Sequence, residues 1–177
     1  MAKSAIPNIF TFTNLACGVL SLMMTIQNDY KWACIFILLA AFIDRYDGRV
    51  ARFLNVSSDL GKELDSLADL VSFGVAPSIL VCYIYNFTSL GIIGYLLVTI
   101  FPISGAYRLA RYNATTFDGV FMGIPIPVAG AFLALYSLIY LSYKPDSATF
   151  NSSSWLVLIL LLLLSFLMIS KLKFKKV

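Results

Sequence analysis

The 177-residue chain is 60% hydrophobic and 12% charged, with a formal net charge of +4. A soluble domain is about half apolar and about a quarter charged, so a water-soluble single core is excluded. Histidine is absent, which removes Ser-His-Asp and Cys-His nucleophiles, His-held haem and His-ligated zinc. The three cysteines, Cys17, Cys34 and Cys82, are far apart in apolar segments without a CxxC pair. They read as small buried hydrophobes, not as a disulfide scaffold or a thiolate metal site.

A helix needs about 20 mostly apolar residues to cross the hydrocarbon layer, and six candidate spans follow in chain order. They run from Ile6 to Ile26, Trp32 to Arg52, Gly61 to Tyr85, Leu90 to Tyr112, Ile124 to Leu141 and Trp155 to Ser170. Short polar breaks separate them, such as Gln27-Asn28-Asp29 and Asn86-Phe87-Thr88-Ser89. The expectation is one all-α transmembrane domain over residues 1–177, a six-helix bundle. The first span is read as a retained helix and not a leader: Lys3 precedes it, but Pro7, Asn8, Thr11, Thr13 and Asn14 interrupt its apolar run. Asn8, Thr11 and Asn14 recur every three residues and share one face, which should point into the bundle.

Charge gives the orientation. With the N-terminus inside, eleven of the thirteen basic residues lie on or near the cytoplasmic side, and only Lys31 and Lys144 fall outside. An N-in, C-in topology is expected. The positive charge is then a flank of the membrane helices and not a nucleic-acid footprint. The Lys171 to Lys176 tail reads as a stop-transfer flank that can touch anionic headgroups.

Six of the nine acidic residues fall between Asp44 and Asp69. An ionised side chain at the centre of a membrane helix costs at least about 2.5–3.5 kcal/mol, so this cluster reads as a functional site. Asp44, Asp47 and Ala51 stack on one face of the second helix with Gly48 beside them, and Gly61, Asp65 and Asp69 stack on one face of the third. The short connection makes the two helices antiparallel neighbours, so four carboxylates converge as in bundle-core metal sites. Oxygen-only ligands favour Mg2+ or Mn2+, and four carboxylates suit two such ions, which can hold a diphosphate for displacement at phosphorus. Gly48 and Gly61 leave room for a ligand against the backbone, and Arg52 supplies a planar cation for phosphate oxygens. Glu63 and Asp59 read as solvated charges at a loop end.

These residues carry a family resemblance. Asp44-Arg45-Tyr46-Asp47-Gly48-Arg49-Val50-Ala51-Arg52, eight residues, then Gly61-Lys62-Glu63-Leu64-Asp65-Ser66-Leu67-Ala68-Asp69 resembles the full CDP-alcohol phosphotransferase signature, with every fixed position present. The segment from Pro7 to Gly18, the run from Val71 to Pro77, the stretch from Arg108 to Asn113 and Gly123-Ile124-Pro125-Ile126-Pro127 look like the phosphatidylserine synthase branch. The resemblance implies that Asp44, Asp47 and Asp65 are metal ligands, and that Asp69 is a general base that also touches metal. It places the cytidine nucleotide against Gly48, Ala51 and Gly61, with Asn8 and Thr11 or Asn14 nearby. CDP-diacylglycerol and L-serine are the implied substrates and a homodimer the implied assembly. The unpaired cysteines and basic flanks suit a prokaryotic plasma membrane, with the site on the cytoplasmic side.

Arg108 and Arg111 stand at i and i+3 on the fourth helix, and with Asn113 and Asn14 they are assigned to the acceptor or to a lipid phosphate. Other acceptors, glycerol 3-phosphate or inositol phosphate, stay open within this reading. An intramembrane prenyltransferase would need a second acidic motif, and only Asp118 and Asp146 follow Asp69. A divalent-cation transporter would line a pathway with carboxylates, but Arg52 beside such a path is counterproductive.

Overall fold

The computed structural model describes residues 2–53, 59–114, 120–143, 152–170 and 173–175, with side chains described for 8–46, 60–114, 123–143 and 152–170. Helix α1 (Ala2–Ile26) is followed by α2 (Tyr30–Phe53), α3 (Asp59–Asp69), a π-helical segment (Leu70–Val75) and α4 (Ala76–Ile84). After a 3-10 turn (Phe87–Leu90) come α5 (Ile92–Ala114), α6 (Ile126–Tyr143) and α7 (Ser152–Ile169). Five stretches are long and apolar enough to cross a membrane: Asn8–Ile26, Leu60–Ile84, Ile92–Ala114, Ile126–Tyr143 and Ser152–Ile169. Helix α2 is 24 residues long but turns charged from Asp44 onward. Large apolar side chains such as Ile9, Phe12, Leu96, Ile103 and Phe166 stand exposed around the bundle. A soluble monomer would not tolerate so much exposed apolar surface, and the protein is an integral membrane protein.

The fold is all-helical, as expected, apart from two short strands. Val120–Met122 (β1) pairs antiparallel with Lys173–Lys175 (β2), Phe121 opposite Phe174. Three-residue strands are too short to leave an alternating pattern in sequence, and this pair gives backbone groups outside the helices their hydrogen-bond partners.

The connection from α1 to α2 is built by Asn28, which adopts the left-handed conformation at φ 64°. Its N–H donates to the Thr25 carbonyl at 3.1 Å, and the Asp29 N–H donates to the Met24 carbonyl at 2.9 Å. That is a Schellman ending, and it folds α2 back along α1. The Ser21 hydroxyl, fully buried, donates across the pair to the Ala33 carbonyl at 3.0 Å.

The rod formed by α3, the π segment and α4 is the centre of the bundle. In it 67% of the apolar window is buried, against 33% to 39% in the other four spans. Phe73, Ala76, Leu80 and Val81 are wholly buried. The widened turn has a local cause in Pro77, which has no N–H to donate and whose ring clashes with the carbonyl four residues back in a regular helix. In the π segment the Ala76 N–H reaches the Val71 carbonyl instead, five residues back, and the Ser78 hydroxyl satisfies the Gly74 carbonyl at 2.7 Å. Two glycines on neighbouring helices admit this bulky turn. A Cβ at Gly18 of α1 would lie 2.8 Å from the Ser72 Cα, and a Cβ at Gly130 of α6 would lie 2.5 Å from the Phe73 carbonyl oxygen.

Candidate active site

The acids meet where α2 and α3 face α1. Asp44 and Asp65 are half-buried and Asp69 is buried, and one carboxylate oxygen from each lies within 4.8 Å of the others. Spacing brings Asp65 and Asp69 together, since i and i+4 share a helix face, and the fold brings Asp44 to them from α2. Hard oxygen donors this close suit a divalent cation, which the residues present would hold. The side chains of Asp47, Gly48, Ala51 and Arg52 lie outside the described residues, although their backbone continues α2 through this region. Gly61 is half-buried in the first turns of α3.

The polar face of α1 lines the same place. Thr11 and Asn14 are buried and Asn8 is half-buried, while Ile9 and Phe12 point outward. The expected inward orientation is therefore observed. Asn14 is in contact with an acid: its Nδ2 donates to Asp69 Oδ1 at 3.2 Å. The Ser72 hydroxyl donates to the Asn14 backbone carbonyl at 2.9 Å and ties α1 to the start of the π segment.

Helix α5 contributes a cation. Arg108 is 9% exposed and close enough to Asp69 for their charges to interact. Its Nε has no hydrogen-bond partner among the described residues. A buried donor left unpaired in a membrane helix is costly, and a bound anion would relieve it. Arg111 and Asn113, grouped with Arg108 in sequence, are placed differently. An Arg111 guanidinium nitrogen donates to the Ile169 carbonyl at 2.9 Å, at the end of α7, where a cation suits the last carbonyls. The Asn113 amide donates to Glu63 Oε1 at 3.2 Å and to Ser66 Oγ at 3.0 Å on α3. Lys62 lies 5.9 Å from the centre of the Tyr112 ring and adds a second α3 to α5 tie.

Glu63 is thus exposed, as expected, yet it also anchors α5. Ser66 and the link from Ser72 to Asn14 have no signal in the spacing of charges, because a serine in an apolar helix names no partner. The cysteines are free and buried, as read from sequence.

A sequence model of the CDP-alcohol phosphatidyltransferase family matches residues 4–169. Among curated proteins, the chain is 39% identical over 170 residues to a CDP-diacylglycerol--serine O-phosphatidyltransferase of Bacillus subtilis (strain 168), covering 96% of this chain and 89% of the relative. It is 38% identical over 177 residues to the enzyme of the same name from Helicobacter pylori (strain ATCC 700392 / 26695), with 97% and 73% covered. It is also 35% identical over 178 residues to an archaetidylserine synthase of Methanothermobacter thermautotrophicus, with 98% and 70% covered. With three acids of its signature, Asp44, Asp65 and Asp69, assembled in one cluster and the family matched along nearly its whole length, the chain belongs to the CDP-alcohol phosphatidyltransferases.

Proposed function

We propose that this protein is a phosphatidylserine synthase, moving the phosphatidyl group of CDP-diacylglycerol to L-serine and releasing CMP. The observation that carries the reading is the convergence of Asp44, Asp65 and Asp69 within 4.8 Å, beside a buried arginine. The relatives' shared serine acceptor supports the choice of alcohol.

Asp44, Asp47 and Asp65 would hold two divalent cations, Mg2+ or Mn2+, with Asp69 touching them. Such ions, when bound, polarise the diphosphate and offset charge on the departing CMP. The nucleotide lies against Gly48, Ala51 and Gly61, with Asn8, Thr11 and Arg52 around it. Asp69 takes the proton of the serine hydroxyl as that oxygen attacks the phosphorus bearing the lipid; the new P–O bond forms and the bond to CMP breaks. Arg108 faces the serine carboxylate or the lipid phosphate with a guanidinium fork. Arg111 and Asn113 hold α5 against α7 and α3 so that this fork stays in register.

The distribution of basic residues supports six crossings with both termini on the cytoplasmic side, the site opening there in a prokaryotic plasma membrane. Small and polar faces on the helices support a homodimer.

The test is CMP release by purified protein given CDP-diacylglycerol and Mn2+ or Mg2+ with serine, glycerol 3-phosphate or inositol phosphate in turn. Release with serine alone is expected. Release with another acceptor alone would move the assignment within the family, and release with none, together with metal flux into liposomes, would refute the transferase.

A further inference from the structure

We infer that Asn14 is a positioning residue for Asp69, fixing the orientation of its carboxylate for proton transfer from the acceptor hydroxyl. The inference rests on the reading of Asp69 as the proton acceptor. Three observations lead to it. The Asn14 amide donates to Asp69 Oδ1 at 3.2 Å in a buried contact between helices 55 residues apart in sequence. Asn14 is 1% exposed and its own Oδ1 has no hydrogen-bond partner among the described residues. Its backbone is braced by Ser72, whose hydroxyl donates to the Asn14 carbonyl at 2.9 Å, and a glycine at position 18 lets the two helices approach this closely.

Among the described residues the amide oxygen has no partner, so the donation to Asp69 is the polar contact this side chain makes. An apolar side chain of the same size would pack here without burying a lone acceptor, and an unsatisfied buried group is destabilising. What asparagine adds at this position is the donor to Asp69. A carboxylate accepts hydrogen bonds and donates none when ionised, so the bond fixes the amide with Nδ2 toward Asp69. The carboxylate torsion is otherwise soft. With Oδ1 held by Asn14, the plane of the Asp69 carboxylate, which also meets Asp44, is set from α1.

Misplacing a reacting group by about 1 Å can cost about 100-fold in rate. Asn14→Leu, which removes the donor at similar volume, is expected to lower kcat by about 10- to 100-fold with the KM values for CDP-diacylglycerol and serine within about twofold. Asn14→Gln, which keeps an amide donor, should recover part of the loss. A kcat within threefold of wild type in folded Asn14→Leu overturns the inference. So does a raised serine KM at unchanged kcat, which would make Asn14 an acceptor ligand. If Asn14→Leu does not fold, Ser72→Ala is the second probe: removing the brace should lower kcat by about 3- to 10-fold at unchanged KM, and an unchanged kcat overturns the inference. Wild type that works only with another acceptor refutes the serine assignment, and the same kcat ratios are then read with that acceptor. Wild type that releases no CMP with any acceptor removes the proton-accepting role of Asp69 and the inference with it.

Discussion

Neutralising Asp69 should stabilise the metal-free protein while abolishing turnover. Oxygens of Asp44, Asp65 and Asp69 lie within 4.8 Å of one another. Two unit charges at that separation repel by about 3.5 kcal/mol at an effective dielectric of about 20. Asp69 takes part in two such pairs and is 7% exposed, so its charge is also poorly solvated. Against this stands the attraction of Arg108. In Asp69→Asn one attraction is lost and two repulsions and a buried charge are removed, while the Asn14 amide keeps a carbonyl to donate to. Counter-ions and proton uptake shrink the difference, leaving a gain of about 1–3 kcal/mol. For a chain of this size each kcal/mol moves the midpoint by about 2–4 °C. The expected rise in EDTA is therefore about 2–12 °C, followed in detergent with a thiol-reactive dye, since Cys17, Cys34 and Cys82 are all buried until the bundle opens. The further rise on adding Mn2+ should be smaller than in wild type, and CMP release should fall by about 100-fold or more. A lower midpoint in EDTA would refute the reasoning, because Asp69 would then be held chiefly by Arg108 and not strained against the other two acids. Loss of Mn2+ binding as complete as in Asp44→Asn would show that Asp69 is a ligand first and a base second.

Arg108→Leu should reduce CMP release by about 100-fold, the scale of a lost charged contact to substrate, whereas Arg111→Leu, which loses a carbonyl contact at the end of α7, should cost about 1–2 kcal/mol of stability with kcat within a few-fold; equal losses of kcat would overturn that separation. Gly130→Ala should lower the unfolding midpoint by about 2–10 °C, because the added Cβ would meet the Phe73 carbonyl oxygen at 2.5 Å and its Cα at 2.8 Å, and neither is the movable end of a side chain; an unchanged midpoint would mean that α6 can slide away from the π segment. Chelation should stop CMP release, and Mn2+ or Mg2+ should restore it; undiminished turnover in excess EDTA would remove the metal from the mechanism. Amide hydrogen exchange should be faster in α3 (Asp59–Asp69) than in α4 (Ala76–Ile84), since α3 is held to its neighbours by a few polar contacts and α4 by wholly buried apolar side chains; equal protection would refute that difference.

Legibility differs between the acids and everything that holds them. Asp65 and Asp69 can be placed together from sequence because four residues make one helical turn, and their presence in apolar helices marks a site because lipid tolerates charge so poorly. That Asp44 joins them follows from the signature and the short connection. The inward face of α1 is equally readable, since Asn8, Thr11 and Asn14 alternate with residues that suit lipid. The partner of Asn14 is not readable, because periodicity gives a direction and no distance. Arg108 and Arg111 show the limit of spacing: three residues apart, they share one side of α5, yet one interacts with Asp69 and the other ends on an α7 carbonyl. A rise of about 1.5 Å per residue is enough to separate their surroundings. Proline 77 announces a disturbance of the central rod, but the widened turn also requires the space left by Gly18 and Gly130, which are 59 and 53 residues away in sequence.

The π segment then connects the packing of the bundle to its chemistry. Its first residue follows Asp69 directly, so any change in the winding of Leu70–Val75 rotates the face that carries Asp65 and Asp69 relative to α4. The segment is clamped on two sides by backbone-to-backbone approach, Ser72 against Gly18 and Phe73 against Gly130, and α4 beyond it is fixed in the apolar core. Rotation of the acidic face is thereby set by α1 and α6, helices that bear none of the acids. A regular helix over the same residues would still place Asp65 above Asp69, but it would change the angle between those carboxylates and Asp44 on α2. The site thus depends on a local irregularity that Pro77 initiates and two glycines accommodate, and substitutions at Gly18 or Gly130 should disturb the geometry of the acids without touching them.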